Sequence, residues 1–100
     1  VNKGVAVKIH WTDEDKGGKS ILPQGTPYYV ITDLLEGRSG VKTNWSLVLE
    51  VENNSEGNHS RTGTGRAYFL VEDAPTSLLK SGYSLIVHEG RKQVARVEVI

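Results

Sequence analysis

Cysteine is absent from this chain of 100 residues, so no disulfide framework, thiolate zinc site or thiol nucleophile is available. The fold must therefore rest on packing alone. An excess of either charge is also missing: twelve basic residues stand against twelve acidic ones. No global field steers the chain to nucleic acid or to an anionic membrane, and any such contact needs a local patch. No apolar run approaches the ~18 residues of a membrane span, and no basic-then-apolar leader is visible. The expected location is cytoplasmic, although a chain beginning at Val1 instead of Met is compatible with removal of an upstream segment. A helical window of ordinary length is lacking too. What remains, at this length, is one domain spanning residues 1–100, with one core and room for one site at most.

The apolar residues that are present follow a period of two. Val5, Val7, Ile9 and Trp11 alternate with Ala6, Lys8, His10 and Thr12, as a half-buried strand requires. Asp13 to Ser20, with three acids and two glycines, reads as a loop. Pro23, Gly25 and Pro27 forbid a regular helix, and Tyr28 to Leu35 resumes as an aromatic and β-branched strand. After a turn from Glu36 to Asn44, Trp45, Leu47, Leu49 and Val51 give the cleanest alternation in the chain, with Trp45 expected to cap the core. Asn53 to Gly65 has no large apolar residue to offset the entropy of ordering and is expected to be a mobile loop. Arg66 to Glu72 reads as another strand, and Thr76 or Ser77 is placed to cap a single helical turn through Leu78, Leu79 and Lys80, ended by Gly82. Tyr83 to His88 and the run to Ile100 form a closing hairpin around Glu89, Gly90, Arg91 and Lys92. Six strands and one helical turn define an all-β domain, a small barrel or sandwich.

Motifs that could carry chemistry are few. Gly17, Gly18, Lys19 and Ser20 match the end of a phosphate-binding P-loop. However, Asp13 occupies the place of the first glycine, Glu14 and Asp15 repel phosphate, and Pro23 and Gly25 exclude the helix that must follow. No nucleotide is expected to bind. Asp13, Glu14 and Asp15 lack the alternating ligands of a calcium loop, and His10, His59 and His88 lack the spacing of a zinc site. No metal or other cofactor is expected, and with no G-x-S-x-G elbow in the chain, no enzyme activity either. N-x-[ST] triplets at Asn44, Asn53 and Asn58 mark surface exposure more than glycosylation. Lys16, Lys19, Arg61, Arg66, Arg91 and Lys92 would form a basic patch only if the barrel gathers their loops at one end.

The order of landmarks supports a resemblance. An acidic loop with Gly17, Gly18 and Lys19, then Pro23, Gly25 and Pro27, then Tyr28 and Tyr29, resembles the opening of the third, C-terminal β-barrel domain of bacterial elongation factor Tu. Leu79, Lys80, Gly82, Leu85, Ile86, Val87, Glu89, Gly90, Arg91 and Val94 are similar to that domain's last hairpin. The resemblance implies a six-stranded closed barrel of Greek-key type. It also implies contact with the T stem of tRNA through the glutamate and glycine of the last turn, here Glu89 and Gly90. Gly17, Gly18 and Lys19 match as well, with lysine replacing the family's arginine and its planar fork. The chain departs from the family in containing no GTP-binding domain, and in having Thr26 before Pro27 and Ala95 and Arg96 in place of glycines.

Two functions follow as expectations. One is a non-enzymatic binding module that contacts structured RNA (tRNA) or a translation component through Gly17, Gly18, Lys19, Glu89, Gly90, Arg91 and Lys92. The alternative is a protein-interaction barrel that uses a strand edge or an aromatic patch around Tyr28, Tyr29 and Tyr68, with self-association open.

Overall fold

The computed structural model describes residues 4–57 and 60–100. Six antiparallel strands close into a barrel: β1 (Val5–Trp11), β2 (Pro27–Glu36), β3 (Lys42–Gly57), β4 (Ser60–Phe69), β5 (Ser84–Glu89) and β6 (Lys92–Val99). Around the barrel the order is β1, β4, β3, β2, β5, β6, and β6 returns to β1. Strands β2, β3 and β4 follow one another as neighbours while β1 lies beside β4, a Greek-key arrangement. Closure removes the free edges that an open sheet of this size would present.

The period of two read from the sequence sets the inside of the barrel. Val7 and Ile9 face Val99 and Val97 across the β1–β6 ladder, and Leu47 and Leu49 face Phe69 and Ala67 across β3–β4, all buried. Each of the larger side chains contributes roughly 1.5–3 kcal/mol by leaving water. Trp45 caps the core as expected: it is 7% exposed, and its indole N–H donates to the Leu35 carbonyl at 2.7 Å. Ala74 and Leu79, from the β4–β5 connection, join the core.

Three expectations need correction. The segment from Asn53 to Gly65 is not a mobile loop, since its described residues extend β3 and β4 into a hairpin arm, in register from Asn53↔Thr64 to Gly57↔Ser60 beyond a bulge after Val51. Paired backbone and polar side chains order it, with no need of apolar burial. Next, β4 ends at Phe69, and Leu70 and Val71 are exposed in the bend that follows. An apolar run that reads as strand is here half barrel wall and half surface. Finally, the turn at Thr76–Leu78 is a 3₁₀ turn preceded by Pro75 with no side-chain cap, so neither Thr76 nor Ser77 plays that part. It closes at Leu79, short of Gly82.

Candidate functional site

Antiparallel order puts the ends of β1, β3 and β5 and the starts of β2, β4 and β6 at one rim. The first loop and the last hairpin turn therefore meet there. Lys19 Nζ lies 2.9 Å from Glu89 Oε1, and the Tyr28 hydroxyl donates to the same carboxylate oxygen. The ammonium also stands 5.2 Å from the centroid of the Tyr28 ring, within cation–π range. The Tyr28 ring in turn tilts against Trp11, 6.1 Å away between centroids. Hydrogen bonds from Tyr28 and then Lys19 hold the Glu89 carboxyl below its ordinary range. Burial, followed by the Glu89 hydrogen bond, pushes the Tyr28 phenol up.

The glycines beside these side chains have distinct tasks. Gly17 ends a 3₁₀ turn at Glu14–Lys16 with φ at 93°, a left-handed backbone that favours glycine. Gly18 is buried, and a Cβ there would overlap the Thr12 carbonyl. Gly90 opens the two-residue turn between Glu89 and Lys92 with φ at 63°, the conformation tight hairpins demand. That turn leaves Arg91 and Lys92 exposed.

The rim does not gather the basic patch. Arg61 is 9% exposed and is spent on structure: it donates to the Thr12 carbonyl at 2.8 Å and the Lys19 carbonyl at 2.5 Å, and pairs with Glu56 at 3.2 Å. It staples the arm to the first loop. Arg66 lies apart on the outer wall, bonded to the Gly4 carbonyl at 2.7 Å, and Lys16 pairs with Asp13 at 3.8 Å. Across the rim Asp13, Glu14, Asp15, Glu56 and Glu89 offset Lys16, Lys19, Arg61, Arg91 and Lys92. The surface there is locally neutral.

Among the described residues no three His, Asp or Glu side chains converge on a common point. His10 pairs with Glu98 at 3.0 Å and His88 with Asp33 at 2.8 Å, while His59 lies outside the described residues. Of the asparagines in N-x-[ST] triplets, Asn44 has its amide bonded to the Thr32 carbonyl at 2.8 Å, Asn53 is exposed on the arm, and Asn58 lies outside the described residues.

A second surface was only half legible. Tyr28 turns inward and leaves the expected aromatic patch, but Tyr29 and Tyr68 flank Val48 in a single row across β2, β3 and β4 on the outside of the barrel. Between the two rings Val48 is fully buried, though it belongs to no inner layer. Ile31 pairs with Ser46 in the adjoining row, where the Leu70 N–H bonds the Ser46 carbonyl. Tyr29 is 59% exposed, Leu70 56% and Ile31 38%. The opposite wall is unlike it: the outward positions of β1 and β6 carry Lys8, Glu98, His10 and Arg96. The sequence groups Tyr29 with Tyr28 and Tyr68, but only the β2–β3–β4 register shows that Tyr29 and Ile31 adjoin Tyr68 and Leu70. Comparison of the chain with protein-family models, curated proteins and solved structures finds no match.

Proposed function

We propose that this chain is a non-enzymatic binding module whose contact surface is the outer face of β2, β3 and β4, and that its partner is a protein. The observation that carries this reading is the asymmetry of the barrel wall. The outward positions of β1 and β6 are charged, whereas the outer face of β2, β3 and β4 sets Tyr29, Val48 and Tyr68 in a row, with Ile31 and Leu70 on one side of it and the Glu50–Arg66 pair on the other. A contiguous exposed apolar face on a small domain is the usual mark of a protein contact, and tyrosines commonly anchor such contacts. Binding of this kind resists moderate salt, because the Debye length governs charge pairing and not apolar burial. The test uses immobilised chain as bait, with Tyr29→Glu and Leu70→Glu variants as controls, in ~0.5 M salt. A protein retained by the wild type and lost from both variants supports the reading; equal capture by all three refutes it.

A second reading is favoured by the Lys19–Glu89 contact. It joins the two turns that resemble the tRNA-contacting turns of the elongation factor Tu C-terminal domain, with Arg91 and Lys92 exposed beside them. This rim would bind structured RNA through its phosphates, and affinity would fall steeply as salt rises. Fluorescence anisotropy with tRNA at low salt tests it, and a binding curve unchanged by Arg91→Glu together with Lys92→Glu would exclude it.

A further inference from the structure

The barrel closes through β2 and β5, which pair at Ile31↔His88 and Thr32↔Val87. Strand β2 bulges here, Thr32 and Asp33 standing against the single residue Trp45 of β3, and β6 bulges at Val94 behind β5. Bulges re-aim the side chains they carry. Asp33, in the β2 bulge, places its Oδ1 2.8 Å from His88 Nε2. The backbone around this pair is fixed by side-chain hydrogen bonds, from the buried Thr32 and from Asn44. The Thr32 hydroxyl donates to the Asp33 carbonyl at 2.8 Å and accepts the Trp45 N–H at 3.0 Å. The Asn44 amide donates to the Thr32 carbonyl at 2.8 Å. Asp33 and His88 thus sit on a frame locked from beneath, the condition for a preorganised site.

In front of the pair lies an open groove of about 400 Å³, which Arg91 of the last turn and Ile31 also line. An ionised carboxylate only accepts, so the Nε2 facing Asp33 carries the proton, which leaves Nδ1 to accept from a phosphate hydroxyl. Among the described residues neither His88 Nδ1 nor the Arg91 guanidinium has a protein partner. Beside the hydrogen-bonded Asp33–His88 pair, the Arg91 guanidinium supplies the groove's fixed positive charge. We infer that this groove is an oxyanion site in which Arg91 and His88 take the phosphate of a small phosphomonoester. Asp33 acts as a positioning residue for the imidazole, and Ile31 supplies an apolar wall for the organic part. The planar fork of Arg91 suits paired phosphate oxygens. This inference rests on neither reading given above.

The experiment is an NMR titration of the full, ¹⁵N-labelled chain with inorganic phosphate and then phenyl phosphate, against sodium chloride at matched ionic strength. Saturable shifts at the His88 ring and at the Gly90 and Arg91 amides are expected, with a Kd on the order of 1 mM for inorganic phosphate and a lower one for phenyl phosphate. Arg91→Gln changes an exposed turn residue and should weaken binding about tenfold or more. Asp33→Asn should alter the ¹⁵N signature of the His88 ring as well as affinity, which loss of a mere charge would not do. Dimethyl phosphate separates the sources: binding as tight as the monoester would assign the groove to a nucleic-acid backbone and overturn the monoester assignment. Linear shifts that do not saturate, or saturation that persists unchanged in Arg91→Gln, would overturn the site itself.

Discussion

Replacing Asn54 by alanine tests whether two polar side chains, and not an apolar cluster, hold the arm to the barrel. Asn54 Oδ1 accepts the indole N–H of Trp11 at 2.8 Å, and its Nδ2 donates to the Pro23 carbonyl at 2.9 Å. Trp11 is 4% exposed, so truncation strands a buried donor, at a cost of about 1–3 kcal/mol. The Pro23 carbonyl is nearer to water and forfeits about 0.5–1.5 kcal/mol. A loss of about 2–3 kcal/mol is expected once water reaches part of the gap, which for a domain of this size is a fall in Tm of roughly 10–20 °C. Asn54→Asp keeps the acceptor for Trp11 and loses only the donor, so it should cost less than half as much. Asn53→Ala, at an exposed position of the same arm, should stay within about 0.5 kcal/mol of wild type. Urea unfolding followed by circular dichroism gives the energies, and amide exchange along the arm shows whether it frays first. Asn54→Ala within about 0.5 kcal/mol of wild type, with arm amides still protected, would refute the assignment.

Glu89→Gln should narrow the gap in stability between neutral and acid solution. The Glu89 carboxyl is held below its ordinary value of 4.5, so its contribution is present above that value and disappears as the pH falls through the lowered one. The wild type should therefore exceed Glu89→Gln at pH 7 and converge with it in acid, as read from urea midpoints; a constant gap would disprove the linkage. Gly65→Ala drives a Cβ into the Glu50 carbonyl and against Val51, and should cost more than about 3 kcal/mol. Gly17→Ala meets no atom and should cost only the roughly 1–2 kcal/mol of a left-handed backbone; equal losses in the same unfolding assay would remove the steric explanation for Gly65.

Where a strand buries a regular apolar face, the sequence discloses it. The alternation of Val7, Ile9 and Trp11, or of Trp45, Leu47, Leu49 and Val51, is visible without coordinates because the inner wall needs those side chains. The segment from Asn53 to Gly65 fails this test because its inward positions on β4 are Gly63 and Gly65, kept small by Trp11 and by the Glu50 carbonyl. Glycines at every second position, followed by Ala67 and Phe69, and the β-branched Thr62 and Thr64 between them, were the signal available. Composition concealed it, since a glycine-, serine- and threonine-rich stretch reads as disorder when scored for apolar content alone. The pairing of Lys19 with Glu89 was legible only as a consequence of closure. That of Asp33 with His88 depends on the β2 bulge at Thr32 and Asp33, which leaves no trace in a pattern of alternating residues.

Charge placement separates the possible surfaces better than net charge does. At the rim the least exposed cations, Lys19 and Arg61, are committed to joining loop, arm and last turn. A partner that drew those cations away would have to replace contacts that also hold Tyr28 and the arm in place. Tyr29, Ile31 and Leu70 carry no such obligation, because Val48 beneath them and the inner layer behind it are already closed. The outer face of β2, β3 and β4 can thus exchange water for a partner without disturbing the barrel, and it is the larger of the two gains per residue.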